Sequence, residues 1–136
     1  MIGMAIFNIL TTDANVSLSI GTRCFPNINP LRKNDFPYIV YSHAGDDPHD
    51  TKNGVSTLNT AIIDISIYHN NMLNNEELAA YVRQAIDRRS GTFQTVVVQS
   101  VQYQNQTNQF EFEGIENEDG LFLISQTYKI RYQPVN

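Results

Sequence analysis

The sequence predicts an α+β domain: a mostly antiparallel or mixed β-sheet with two helices packed on one face. Three observations carry this. Ala61, Ile63, Ile65 and Ile67 alternate with Ile62, Asp64, Ser66 and Tyr68, the period of two that marks a central strand. Ile2, Ile6, Ile9 and Leu10 recur at helical spacing. A second apolar stripe, Leu78, Val82 and Ala85 with Tyr81, follows a capping signal.

Taken in order, the first helix spans residues 2–12, with Phe7 on its flank, and ends near Thr11–Asp13. Ile20 to Phe25 reads as a short strand stopped by Pro26 and Pro30, each of which restricts the residue before it. Pro37 opens the strand Tyr38–Tyr41, at the one strand position where no ladder bond has to be donated. Residues 42–57 read as a long loop, because apolar character vanishes and Asp-Asp-Pro and Asn-Gly signal turns. This makes the strands on either side a hairpin with an unusually long connection, and loops of that length usually have a task.

The second helix is expected over 75–89. Asn74 serves as its cap, Glu77 stands at the third position, and Leu73 and Leu78 form a hydrophobic staple. Arg88 and Arg89 suit the helix end and Gly91 supplies the stop. Phe93, Thr95, Val97, Gln99, Val101 and Tyr103 then alternate against Val96 and Val98, and Gln109–Glu113 forms a small separate strand. Residues 114–120 make an acidic turn before a final strand carrying Phe122, Ile124, Tyr128, Ile130 and Tyr132. On this pattern the face away from the helices keeps Ile62, Tyr68, Val96, Val98, Leu121 and Leu123, more apolar surface than a solvated sheet face normally shows. A neighbouring subunit would cover it.

Length and composition narrow the function. The 136 residues suit one domain. A net charge of −5 with scattered basic residues gives no stripe for general nucleic-acid binding. The single cysteine, Cys24, excludes an internal disulfide and a cysteine-rich metal site and fits intracellular residence. No stretch is long and apolar enough to span a bilayer.

Catalytic and metal chemistry find little support. His43, Asp46, Asp47, His49 and Asp50 hold the right atoms for a metal, but all come from one loop, and no second cluster completes a coordination shell. Asp64 between isoleucines is expected to point out of the other sheet face or to meet a basic partner. No phosphate-binding glycine loop, nucleophile elbow or metalloprotease helix is present. No catalytic residue, metal site or cofactor is therefore assigned.

The short first helix, Phe36-Pro37-Tyr38-Ile39-Val40-Tyr41 before a polar loop, Ile63–Tyr68 leading into the 75–89 helix, Val97–Tyr103, and the terminal run Tyr128-Lys129-Ile130-Arg131-Tyr132 together resemble the tail-completion, or tail-terminator, proteins of long-tailed bacteriophages and prophages. The resemblance implies a non-enzymatic virion protein at the head-proximal end of the tail, assembled in the host cytoplasm. It implies a ring, usually of six subunits, that caps the tail tube, ends its polymerisation and presents a docking surface to the head–tail connector. DNA would pass through the lumen without specific binding, and the protomer could be monomeric before assembly. The loop residues His43, Asp46, Asp47, His49, Asp50 and Lys52, with Glu116, Glu118 and Asp119 of the acidic turn, are the expected contacts with tail tube and connector. Ile62, Val96, Val98 and Leu123, with Arg83, Arg88 and Arg89, are the expected subunit interface. Another neck or minor tail component, or a small protein-binding module, is the alternative.

Overall fold

The computed structural model describes residues 2–27, 36–46, 50–51, 54–55, 59–93, 96–111 and 121–134. Helix α1 (Ile2–Thr12) buries Ile2, Ala5, Ile6, Ile9 and Leu10, the predicted stripe. A helix that was not expected, α2 (Ala14–Ile20), follows at once. The Asp13 carboxylate caps it, accepting from the amides of Asn15 at 3.0 Å and Val16 at 3.1 Å. A side-chain oxygen at that position satisfies amides that a helix start leaves unpaired. Val16 and Ile20, one turn apart, anchor α2 to the core. Gly21 ends it with φ +60° and ψ −118°, a backbone conformation that favours glycine.

Strand β1 (Cys24–Pro26) is shorter and later than the strand expected from Ile20. Strand β2 (Tyr38–Asp46) runs five residues past the predicted Tyr41. A bulge between His43 and Gly45 shifts its register against β5 (Asn59–His69). Between them, β3 (Asp50–Thr51) and β4 (Gly54–Val55) form a small antiparallel ladder of their own. Much of the stretch read as loop is thus an extended hairpin.

Helix α3 (Met72–Ile86) begins three residues before the predicted start. Its cap is Asn71, whose Oδ1 accepts from the Asn74 amide at 3.0 Å, so Asn74 is already inside the helix. Asn75 is fully buried and donates through Nδ2 to the carbonyls of Ile67 and Phe122, both at 3.2 Å, fastening the helix start to the sheet. The helix ends at Ile86. Arg88, in the left-handed region at φ +61°, makes the reversal expected of Gly91 and donates its amide to Val101.

Strand β6 (Gly91–Phe93) leads into β7 (Val96–Glu111), one 16-residue strand rather than two short ones. It pairs along its length with β8 (Leu121–Pro134). The strand order is β1-β2-β5-β8-β7-β6, with β1 parallel to β2 and every other neighbour antiparallel, so the sheet is mixed. Three helices, not two, cover one face among the described residues.

The expected orientation of β7 is corrected. Val96 and Val98 are 1% and 2% exposed and belong to the core beneath the helices. The register slips between Val98 and Ser100, so Gln99 is an extra residue. A bulge reverses which residues face inward, because strand side chains alternate with a period of two. Val96 and Val98 therefore point to the helices before it, and Val101 and Tyr103 point there after it.

Candidate interaction surfaces

The chemistry-bearing residues are placed first. Cys24 is buried, and burial pushes its thiol up to about 12, so it is held as an unreactive neutral thiol. Asp64 lies on the open sheet face and accepts from the Thr127 hydroxyl at 2.7 Å, an ordinary polar pair between neighbouring strands. His69 is the last residue of β5, and its Nδ1 accepts from the Asn70 amide at 2.9 Å and the Asn71 amide at 3.2 Å. Among the described residues no three His, Cys, Asp or Glu side chains gather where they could hold a metal ion.

The extended hairpin is the first candidate surface. His43 is exposed on β2 opposite Ile63, and the backbone of Asp46 pairs with Ala61. The backbone of Asp50 pairs with Val55 in the tip ladder. Asp47, His49 and Lys52 lie outside the described residues, as do Glu116, Glu118 and Asp119 of the acidic turn.

The sheet face away from the helices is the second. Ile62 and Leu123 are half-buried there, as expected, whereas Val96 and Val98 are not on this face at all. Its apolar part is an aromatic strip at one end. Phe36 stacks on Tyr38 at 5.7 Å, Tyr38 stacks on Tyr68 at 4.8 Å, and Phe25 tilts against Tyr38 at 6.4 Å. Leu123 pairs with Tyr68 in register and extends the strip. Beyond the strip the face has a polar centre, where Ser66 and Ser125 pair across β5 and β8 beside Asp64 and Thr127, with Ile62 past it.

A third surface was not legible in the sequence. It lies between the far side of α3 and the β7 edge. Arg83 sits over the Tyr103 ring at 3.8 Å and approaches Asp87 at 4.0 Å, while Asp87 accepts from the Tyr103 amide at 3.2 Å. Arg89 lies 5.7 Å from the Phe93 ring. Arg83, Arg88 and Arg89 are all exposed, although Arg83 and Arg89 already pack on aromatic rings of their own protomer. Behind them Gln126 is fully buried, with Nε2 donating to the Ala79 carbonyl at 2.9 Å and to Gln106 Oε1 at 3.0 Å.

Comparison with known proteins agrees with this architecture. A solved structure described as the virion of a native gene transfer agent particle contains a similar chain. It is 16% identical with a TM-score of 0.72, over 96% of this chain and 93% of that one. No curated protein sequence matches. Residues 4–133 match the family model described as tail completion protein gp17, nearly the whole length of the domain. The chain belongs to the tail completion protein gp17 family.

Proposed function

We propose that copies of this protein, six in number, close into a ring on the head-proximal end of the tail tube. Family membership already makes it a non-enzymatic structural protein of the virion tail that caps the tube and joins tail to head. That match over residues 4–133 carries the reading. The ring ends tube polymerisation and offers its free face to the head–tail connector protein. DNA passes through the lumen without specific binding, which suits a net charge of −5, since like charge disfavours retention of the phosphate backbone.

The extended β2–β5 hairpin, with His43, Asp46, Asp47, His49, Asp50 and Lys52, is the tube-facing element, and Glu116, Glu118 and Asp119 lie toward tube or connector. Ile62, Leu123 and the arginines Arg83, Arg88 and Arg89 belong to the subunit contacts. Val96 and Val98 do not, because the protomer's own helices cover them. Coverage of the core within one chain supports a folded monomer before assembly.

Electron microscopy and mass measurement with tail-tube protein test the reading. The expected species has a mass near six times 15.5 kDa and sits at tube ends. Protein that stays monomeric at high concentration and on tubes would overturn it. Deleting residues 47–53 should leave the thermal transition in place and abolish tube attachment; normal attachment would remove the hairpin tip from the mechanism.

A further inference from the structure

We infer that a pocket at the start of α3 receives the phenol ring of a tyrosine carried by the head–tail connector protein. The chemistry of the pocket stands by itself; only the choice of the connector rests on the ring reading above.

Met72, Phe122, Leu123 and Ile124 form the apolar walls of a pocket of about 160 Å³, and the exposed Glu76, Asn108 and Gln109 lie at its rim. Small-molecule sites usually enclose roughly 300–1,000 Å³, so this one suits a single side chain. An apolar cavity of roughly 150 Å³ holds one benzene ring. This pocket differs from such a cavity by one polar group. Asn75 also lines it, is fully buried, and its Oδ1 has no hydrogen-bond partner among the described residues. The amide cannot turn over to relieve this. Its Nδ2 donates to the carbonyls of Ile67 and Phe122, and a flip would set oxygen against two carbonyl oxygens. A buried acceptor without a donor is costly, and an occupant that brings a donor removes the cost.

That requirement selects the occupant. An aliphatic side chain would leave the oxygen unpaired. Water suits the site poorly, since a buried water needs two to four polar partners and these walls are apolar. An ammonium brings donors, but also a full charge into an apolar pocket beside the positive start of a helix. A phenol satisfies both halves: its ring packs against Phe122 and the Met72 thioether, and its one hydroxyl donates to Asn75 Oδ1. The register of the sheet then indicates which partner reaches it. The hairpin tip lies between Asp46 and Asn59, and Asn59 pairs with Tyr132 at that end of β5. Phe122 of the pocket pairs with His69 at the other end, 11 residues of β5 apart, roughly 34 Å at the rise of a strand. With the hairpin tip on the tube, the pocket opens on the connector side of the ring.

The probe is p-cresol, which is the tyrosine side chain without its backbone. Titrated into the full chain and followed by NMR at the Ile124 methyl groups and the Asn75 side-chain amide, it should saturate. It should bind at least about tenfold more tightly than toluene, which has the same ring and no donor. Equal affinity for the two, or no saturable binding of either, would overturn the phenol site. Binding of p-cresol only after deletion of residues 113–119 would assign the pocket to the chain's own turn and overturn it as well. On rings assembled at tube ends, excess p-cresol or Met72→Trp should weaken connector attachment at least about fivefold and leave tube attachment unchanged. Met72 is half exposed, so its replacement should keep the melting temperature. Undiminished connector attachment, or a loss of tube attachment or ring closure instead, would overturn the connector as occupant. A wild-type protein that never forms rings would overturn the ring reading and the connector with it, while the p-cresol titration still decides the pocket.

Discussion

The Tyr128 hydroxyl donates to Gln126 Oε1 at 2.7 Å, two residues away on the same strand and fully inside the core. Burial, then the negative charge of Asp87, holds the Tyr128 phenol well above its usual range, so it stays a neutral donor. Gln126 passes the connection on to Ala79 and Gln106, tying β8 to α3 and to β7. Removing one member leaves a buried polar atom without a partner, which costs about 1–3 kcal/mol. Tyr128→Phe is expected to lose that much in chemical denaturation, and Gln126→Leu at least as much. A loss within error for both would show that the network contributes nothing.

Val98 and Leu123 separate stability from assembly. Val98 is core, so Val98→Ala should destabilise the isolated protomer by about 2 kcal/mol. Leu123 is half-buried at the rim of the open face and of the α3 pocket. Leu123→Ala should cost less in the monomer and reduce assembly on tubes more. Melting curves and sedimentation of the two variants together give the comparison, and the reverse ranking would contradict the observed β7 phase.

Backbone conformation predicts opposite signs at two turns. Gly21 occupies a positive-φ conformation that a Cβ opposes, so Gly21→Ala should destabilise by about 1–3 kcal/mol. Arg88 has a left-handed backbone without being glycine. Arg88→Gly should therefore be neutral or stabilising, within about 1 kcal/mol. Thermal unfolding of both variants tests the pair.

His69 sets a pH dependence. Burial lowers its pKa, and Asn70 opposes this as the smaller effect. A base whose folded pKa is depressed is favoured neutral, so its contribution is complete above the unfolded value near 6.5 and is lost as pH falls through the folded one. Stability should decline on acidification from about pH 7, and His69→Gln should flatten part of that slope. Equal slopes for the two proteins would place the dependence on other groups.

Part of this was legible because a local pattern reported a local face. The alternation in β5 and the stripes of α1 and α3 are regular, and each buries the predicted residues except Tyr81, which is only partly buried and turns its hydroxyl to Glu77. The short α2 was hidden by its composition: Asn15, Val16, Ser17 and Ser19 are weak helix formers, and only the Asp13 cap and the packing of Val16 and Ile20 hold it. The hairpin extension was hidden because polar residues in a half-solvated strand look like loop.

From sequence alone came the α+β class, the central strand, two of the helices and a resemblance to tail-completion proteins. Only the tertiary structure decided which way Val96 and Val98 face and where, among the described residues, β6 stops covering β7. A single extra residue at Gln99 inverts the inward face of β7, and periodicity read along one strand cannot register it; only the partner strand, paired residue against residue, can.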